Sequence, residues 1–314
     1  LALSGTSNPA GVVLRCVECG AGDLQRSTDS LSCAACATSY PLFNECPVLL
    51  TKNSVFAIGN TGAEKSAGMP SGGVWSLRRF LPAPTFTHFA ARAKIRAIAE
   101  HGGKERKCLV IGAGENDAEA AALKGAFGLA VVTDVAWHPG VDYICDGHDL
   151  PFADDSFDFV MLTAVLEHVL TPARVAAELA RVLRKGGVVY AVTPFMQQVH
   201  MGAFDFQRFT DLGHRWLFRE FDELERGTCG GPASSLVWSF MYFASAWSSN
   251  AKLSKMFSLI ARFSLFWIKY LDFFLERKST ARDGANGFYF VGKNAKGSTM
   301  TIHDLLKLYV GGRR

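Results

Sequence analysis

Between residues 107 and 195 the apolar positions fall into short blocks rather than into a continuous helical period. Cys108 to Ile111 is an apolar run that stops at Gly112, and Leu129 to Asp134, Val141 to Asp146, Phe159 to Thr163 and Val188 to Thr193 repeat the pattern. Runs of this length closed by Gly or a polar residue predict strands buried on both faces of a parallel sheet. Helical stretches separate them. Ala118 to Lys124 predicts a helix stopped by Gly125. Thr171 as cap and Pro172 in the first turn open another over Ala173 to Arg184, with Val175, Leu179, Val182 and Leu183 on one face and Gly186-Gly187 at its end. Upstream, the Ala- and Arg-rich stretch from Thr85 to Glu100 predicts a helix ended by Gly102-Gly103. Downstream, Asn286 to Lys293 predicts a late strand and Thr301 to Tyr309 a closing helix. Only Val135 to Gly140 separates the second and third strands, which leaves no room for a helix there. The alternation predicts an α/β fold with a parallel sheet.

Two regions break this rhythm. From Gly230 to Glu276 the chain is aromatic and apolar, cut by Lys252, Lys255, Arg262 and Lys269, so no stretch reaches membrane-spanning length. Helices of this kind can lie in a membrane interface, or pack on the catalytic domain or on a second subunit. Residues 51–75, rich in Gly, Ser, Asn and Thr, read as a linker. Before it, residues 12–50 carry Cys16 and Cys19, then Cys33 and Cys36: two C-x-x-C knuckles separated by thirteen residues. That spacing can place four thiolates at tetrahedral corners, the closed arrangement structural zinc takes; a redox dithiol pair is the alternative, although one C-x-x-C would suffice for it. A segment this short needs metal binding to supply its folding free energy. The expected organisation is a zinc ribbon at 12–50, a linker at 51–75 and a main domain at 76–314 with a helical insert at 230–280.

Charge and cysteine usage narrow the classes. A net charge of +4 without a run of five like charges does not indicate an obligate nucleic-acid binder. Leu1 to Gly11 has neither a basic region nor a long apolar segment, which argues against an intact signal peptide. Cys46, Cys108, Cys145 and Cys229 are scattered, two of them inside predicted buried strands, and point to a reducing, cytoplasmic setting.

Candidate chemistry centres on Gly112-Ala113-Gly114-Glu115. The two glycines permit a tight turn and close ligand approach, and Asp134 closes the second strand where it can accept hydrogen bonds from ribose hydroxyls. Pyrophosphate binders want a third glycine where Asp117 stands, and Glu115 adds negative charge at the same place. The turn therefore suits a cofactor carrying a cationic sulfonium and amine. The ordered series Asp146-Gly147-His148-Asp149-Leu150-Pro151-Phe152, Ser156-Phe157-Asp158, Leu166-Glu167-His168 and Arg181-Val182-Leu183-Arg184-Lys185-Gly186-Gly187 resembles the class I S-adenosylmethionine (SAM) methyltransferases of the type 11 branch, over roughly residues 85–230. The resemblance implies a Rossmann-like, seven-stranded, mostly parallel sheet whose last strand is antiparallel. It also implies SAM bound by Gly112, Ala113, Gly114, Glu115, Asp134, Val135, Asp146, Gly147 and Thr163, with Asp146 accepting from the adenine amine. Trp137 either packs on the adenine or closes the loop edge.

The acceptor end is expected at Glu167-His168 and in the loop Thr193 to Thr210, which brings His200, Asp205 and Arg208 within nine residues. His200 is the first candidate for a general base and His168 the second, with Asp205 and Arg208 beside them. The stretch Tyr40 to Leu50 resembles the small zinc-ribbon proteins that activate methyltransferases, although Glu45 and Cys46 replace the Gly and Ile usual before the Pro. The expected activity is O-methylation of a sugar or lipid-linked glycan hydroxyl, with peripheral membrane contact and a homo-oligomer among the expected associations. An RNA methyltransferase and a non-catalytic SAM-binding subunit are the alternatives. The ribbon's few basic residues, Arg15 and Arg26 against Glu18, Asp23, Asp29 and Glu45, do not favour nucleic acid.

Overall fold

The structure is a computed structural model that describes residues 11–22, 24–54, 56, 82–114, 117–297 and 299–312. Most of the linker stretch and the candidate Glu115 lie outside the described residues. In chain order the elements are β1 (Leu24–Arg26), β2 (Ser30–Cys33), β3 (Ser39–Phe43), β4 (Cys46–Leu49), α1 (His88–His101), β5 (Gly103–Ile111), α2 (Asp117–Ala126), β6 (Phe127–Asp134), β7 (Tyr143–Cys145) and β8 (Phe157–Thr163). There follow α3 (Pro172–Val182), β9 (Leu183–Pro194), α4 (Asp211–Leu217), β10 (Phe221–Thr228), α5 (Pro232–Ser245), α6 (Ala251–Leu265), α7 (Asp272–Leu275), β11 (Gly287–Asn294) and α8 (Ile302–Lys307).

The sheet runs β1-β2-β3-β4-β7-β6-β5-β8-β9-β11-β10. From β7 to β9 neighbouring strands are parallel, while β11 runs antiparallel between β9 and β10. The last seven positions form the Rossmann-like sheet the sequence predicts, in which β5 is flanked by β6 and β8, so the order reverses at the carboxyl end of β5. The sheet has 11 strands, not seven, because the amino-terminal hairpins join it. β4 pairs in parallel with β7 through Val48 opposite Ile144 and Leu49 opposite Cys145. The apolar side chains continue across that seam: Leu14, Cys16, Leu31, Tyr40 and Leu49 are buried in one core with Leu109, Tyr143, Phe152 and Leu162.

The signature residues earn their pattern partly through the backbone. The Arg181 guanidinium donates to the Phe152 and Leu150 carbonyls at 2.7 and 3.0 Å, and Glu178 accepts from Leu150 N–H at 2.8 Å, so α3 holds the Leu150-Pro151-Phe152 corner. Asp158 accepts from Lys107 N–H at 2.6 Å and ties β8 to β5. The helix predicted to reach Arg184 stops at Val182, because Leu183 is extended and pairs with Phe157, opening β9 early. The helix predicted from Thr85 begins at His88.

Between β10 and β11 lie α5, α6 and α7. Val237 and Met241 of α5 pack on Ala261 of α6. The buried Asp272 carboxylate caps α5, accepting from the backbone N–H groups of Gly231, Ala233 and Ser234 at 3.0, 2.9 and 2.8 Å and from Ser234 Oγ at 2.7 Å. Among the described residues no helix is long and apolar enough to cross a membrane.

Candidate functional site

The site lies at the carboxyl ends of β5, β6, β7, β8 and β9, where open α/β sheets place ligands. After β5 the chain turns at Gly112 (φ 65) and Gly114 (φ 57). A Cβ on Gly112 would stand 2.5 Å from Val165 Cγ2, so this turn and the one after β8 pack together only because Gly112 has no side chain. A Cβ on Gly114 would meet nothing within 4 Å, which leaves open space above the turn for a ligand.

Asp134 ends β6 with one carboxylate oxygen accepting from Gly114 N–H at 3.0 Å and the other from Ala136 N–H at 3.0 Å. His138 Nε2 stands 3.4 Å away. Asp146, past β7, accepts from Ser54 Oγ at 3.1 Å and from His148 through N–H at 3.0 Å and Nδ1 at 2.6 Å. Burial works against its charge, yet the bonds from His148 and Ser54 outweigh it and hold the carboxyl below its ordinary range. His148 Nε2 then accepts from Thr171 N–H at 3.2 Å, and Asp149 pairs with Arg174. Gly147 lies against Val175 and Ile111. Trp137 rests edge-on against Phe43 of β3, ring centroids 5.7 Å apart, and so closes the loop edge. Thr163 Oγ1, at the end of β8, is buried without a hydrogen-bond partner among the described residues.

The turn after β8 starts at Ala164, a non-glycine residue with φ 56, and presents Leu166-Glu167-His168 as a short 3₁₀ turn. Glu167 is fully buried, and neither carboxylate oxygen receives a hydrogen bond from another described residue. Burial, opposed by its own backbone N–H and the Arg208 charge, pushes this carboxyl up to about 8. Its Oε1 stands 3.7 Å from His168 Nε2 and 3.8 Å from His200 Nε2. The two imidazoles meet edge to face at 4.9 Å. Burial, partly offset by the Phe204 carbonyl, lowers the His168 pKa.

The structure therefore joins His168 and His200, read from separate stretches of sequence, around Glu167. Asp205 and Arg208 serve a different place. Arg208 forms a two-pronged ion pair with Asp205 and donates to the Gln197 and Gln198 carbonyls at 2.6 and 3.0 Å. Asp205 in turn accepts from His200 N–H at 2.8 Å. Although burial opposes its charge, these partners pull its carboxyl down to about 2. The pair fixes the loop that carries His200.

Five neighbours were not among the site residues expected from the sequence. Ser54 sits in the stretch read as linker, and Phe56 stacks on Phe204 at 6.0 Å. From the insert, Trp238 lies 6.5 Å from the His200 ring, Ser239 Oγ accepts from Gln198 Nε2 at 3.0 Å, and Tyr242 donates to the Val199 carbonyl. Helix α5 thus walls the acceptor loop.

At the far end of the sheet, Cys16 and Cys36 Sγ are 3.6 Å apart, as are Cys19 and Cys33, and all four sulfurs lie within 4.8 Å of one another. Thiolates on one tetrahedral zinc stand about 3.8 Å apart. These four can hold such an ion.

Residues 111–191 match the methyltransferase domain family. Among curated proteins, an uncharacterized protein of Methanocaldococcus jannaschii is 44% identical over 46 residues, 15% of this chain and 22% of that protein. The chain thus spans about a fifth of the length of that relative. Similar solved structures include the [4+2]-cyclase SpnF, at 15% identity and TM-score 0.41 over 65% of this chain and 80% of that one. Phosphoethanolamine N-methyltransferase 2 of Haemonchus contortus in complex with SAM matches at 16% identity and TM-score 0.41, over 65% and 52%. A chain from a Haloferax volcanii complex containing the Trm112 methyltransferase activator matches at 19% identity and TM-score 0.40, over 67% and 96%. The matched span 111–191 lies in the part of the sheet formed by β6, β7, β8 and β9.

Proposed function

We propose that this chain is a SAM-dependent O-methyltransferase acting on a hydroxyl of a sugar or lipid-linked glycan. The observation that carries the reading is the contact between two turns: the Gly112–Gly114 turn, with open space above it, packs directly on the turn that presents Glu167 and His168. A cofactor on one would face an acceptor on the other.

SAM, when bound, supplies a methyl group on a positively charged sulfur. The backbone of Gly112, Ala113 and Gly114 would cradle it, Asp134 and the neighbouring Val135 would take the ribose, and Asp146 with Gly147 would take the adenine edge. Each oxygen of Asp134 and Asp146 already accepts hydrogen bonds within the chain, yet a carboxylate has about four acceptor sites and can take more. The buried hydroxyl of Thr163 lacks a partner and would find one in the bound ligand.

The protein's own contribution is alignment, which can lower a barrier by roughly 7 to 11 kcal/mol, and proton removal from the acceptor, worth about 100- to 10,000-fold. His200 is the first base and His168 the second. Asp205 and Arg208 act as positioning residues, the ion pair holding the loop so that His200 Nε2 turns inward. Trp238 offers the acceptor an aromatic wall. The exposed aromatic and aliphatic side chains of the insert, Phe243, Trp247, Ile260 and Trp267 among them, lie in a stretch with the exposed Lys252 and Lys255 and no acidic residue between Glu225 and Asp272. That composition supports peripheral contact with an anionic lipid surface, where a lipid-linked acceptor would be found. In this reading Cys16, Cys19, Cys33 and Cys36 hold a structural zinc ion, and the ribbon braces the sheet through β4.

Titration calorimetry with SAM tests the premise. The expected result is one site per chain, strongly weakened by Asp134→Ala; absence of binding heat in the folded protein overturns the proposal.

A further inference from the structure

Glu167, His168 and His200 converge in one cluster. Consider which nitrogen of each imidazole carries its hydrogen. His168 Nδ1 lies 2.8 Å from the Phe204 carbonyl oxygen, which can only accept, so Nδ1 donates and Nε2 keeps its lone pair. His200 Nδ1 faces the Gln198 carbonyl at 3.3 Å and the Asp205 carboxylate at 3.4 Å, again acceptors only. Its Nε2 is therefore also a lone pair. Both Nε2 atoms point at Glu167 Oε1, at 3.7 and 3.8 Å, too far for a hydrogen bond in either direction. With Glu167 ionised, three acceptors surround one small volume, and no hydrogen bond from another described residue reaches the carboxylate. A fully buried carboxylate in that state costs free energy and is neutralised either by a proton or by a bound cation.

We infer that Glu167, His168 and His200 form a binding site for a divalent first-row transition-metal ion at the acceptor end of the pocket. Two imidazole nitrogens and one carboxylate are a donor set such ions accept while keeping positions open for an exchangeable ligand. The surroundings match those of metal-bound histidines. Each ring gives its other N–H to a carbonyl or carboxylate, which sets the tautomer and the ring orientation. Asp205, itself held by Arg208, is such a partner for His200. Ligand atoms about 2.1 Å from one ion stand roughly 3.0 to 3.5 Å apart, and the three groups here offer donor atoms within 4.8 Å of one another, close enough to contract onto one cation. Both histidines are half-buried rather than sealed, so an ion can enter.

The role of the ion rests on the methyl-transfer reading: an acceptor hydroxyl touching it would lose its proton to water more readily. In that form the histidines hold the ion rather than serve as bases. The binding itself requires no cofactor, acceptor or turnover and can be measured without them.

The test is a titration of the full-length chain, its cysteine cluster loaded with zinc, with Mn²⁺ alone, followed by electron paramagnetic resonance. Mn²⁺ prefers oxygen and nitrogen donors over thiolates, so the cysteine cluster does not compete. One bound Mn²⁺ per chain is expected, with affinity reduced at least tenfold in both Glu167→Gln and His200→Asn. His200→Asn alters a half-exposed side chain and keeps the test valid if Glu167→Gln does not fold. No bound Mn²⁺ in the wild type, or binding unchanged in the folded variants, overturns the assignment. SAM calorimetry on the same samples separates the outcomes, since SAM binding without Mn²⁺ binding removes the metal site alone.

Discussion

In the proposed reading, the cofactor end and the acceptor end of the site treat their carboxylates in opposite ways. At the cofactor end, Asp134 and Asp146 are each held by several donors from their own chain: Gly114, Ala136, Ser54 and His148. At the acceptor end, Glu167 is more deeply buried than either and receives none. The first arrangement is complete before a ligand arrives and needs only spare lone pairs. The second is complete only when something else is present. A preorganised cradle lowers the cost of binding a fixed cofactor, whereas an unfilled polar cluster is a candidate place for chemistry on a second molecule.

The largest expected effect separates the two ends outright. His200→Ala should reduce methyl transfer by about 100- to 10,000-fold, with SAM affinity retained. Single-turnover rates beside calorimetry would show it, and an unchanged rate removes His200 from the chemistry.

Asp134→Ala probes the opposite end. Losing a hydrogen bond to a charged group, worth about 1.5 to 3 kcal/mol, should weaken SAM binding roughly 10- to 150-fold. Mn²⁺ affinity at Glu167 should not change. If both ligands weaken together, the ends are not independent.

His214 offers a control for burial without function. Its ring is fully buried against Phe218 and Phe290 and its Nε2 lacks a partner among the described residues, yet no cluster of donor atoms faces it. Burial, with Arg215 and Arg226 nearby, pushes its pKa down to about 3. A depressed folded pKa means that the unfolded chain takes up the proton first. The associated stability is therefore full above about pH 6.5 and falls by about 1.4 kcal/mol per pH unit as pH drops toward 3. Urea unfolding between pH 7 and 5 should show that slope, and His214→Phe should remove this share of it.

The smallest effect is expected where the cradle has redundancy. Ser54→Ala takes one donor from Asp146 and leaves His148, so SAM binding should weaken about fivefold or less, a net hydrogen bond being worth about 1 kcal/mol. A larger loss would make Ser54 a direct contact.

What the sequence revealed follows from the range of the interactions. The buried strands β5, β6, β8 and β11 were legible because their apolar runs are local and end at Gly or a polar residue. The start of β9 was not, since Leu183 continues the apolar face of α3 and becomes a strand residue only by pairing with Phe157. Joining of the ribbon to the main sheet was equally hidden: Val48 opposite Ile144 is a pairing across nearly a hundred residues. At the site, residue types at strand ends pointed to Asp134, Asp146 and His168. The unsatisfied state of Glu167 depends on which way two distant imidazoles turn, and that is decided by the Phe204 and Gln198 carbonyls and by Asp205. The signature Arg181, read in sequence only as part of a family motif, braces the Leu150 to Phe152 corner.

The most direct test of the account is methyl transfer itself. Incubating the chain with SAM radiolabelled on the methyl group and with separated cell fractions should place label in the lipid or polysaccharide fraction, with none transferred by His200→Ala. Label in RNA, or in no fraction while SAM binds, would contradict it.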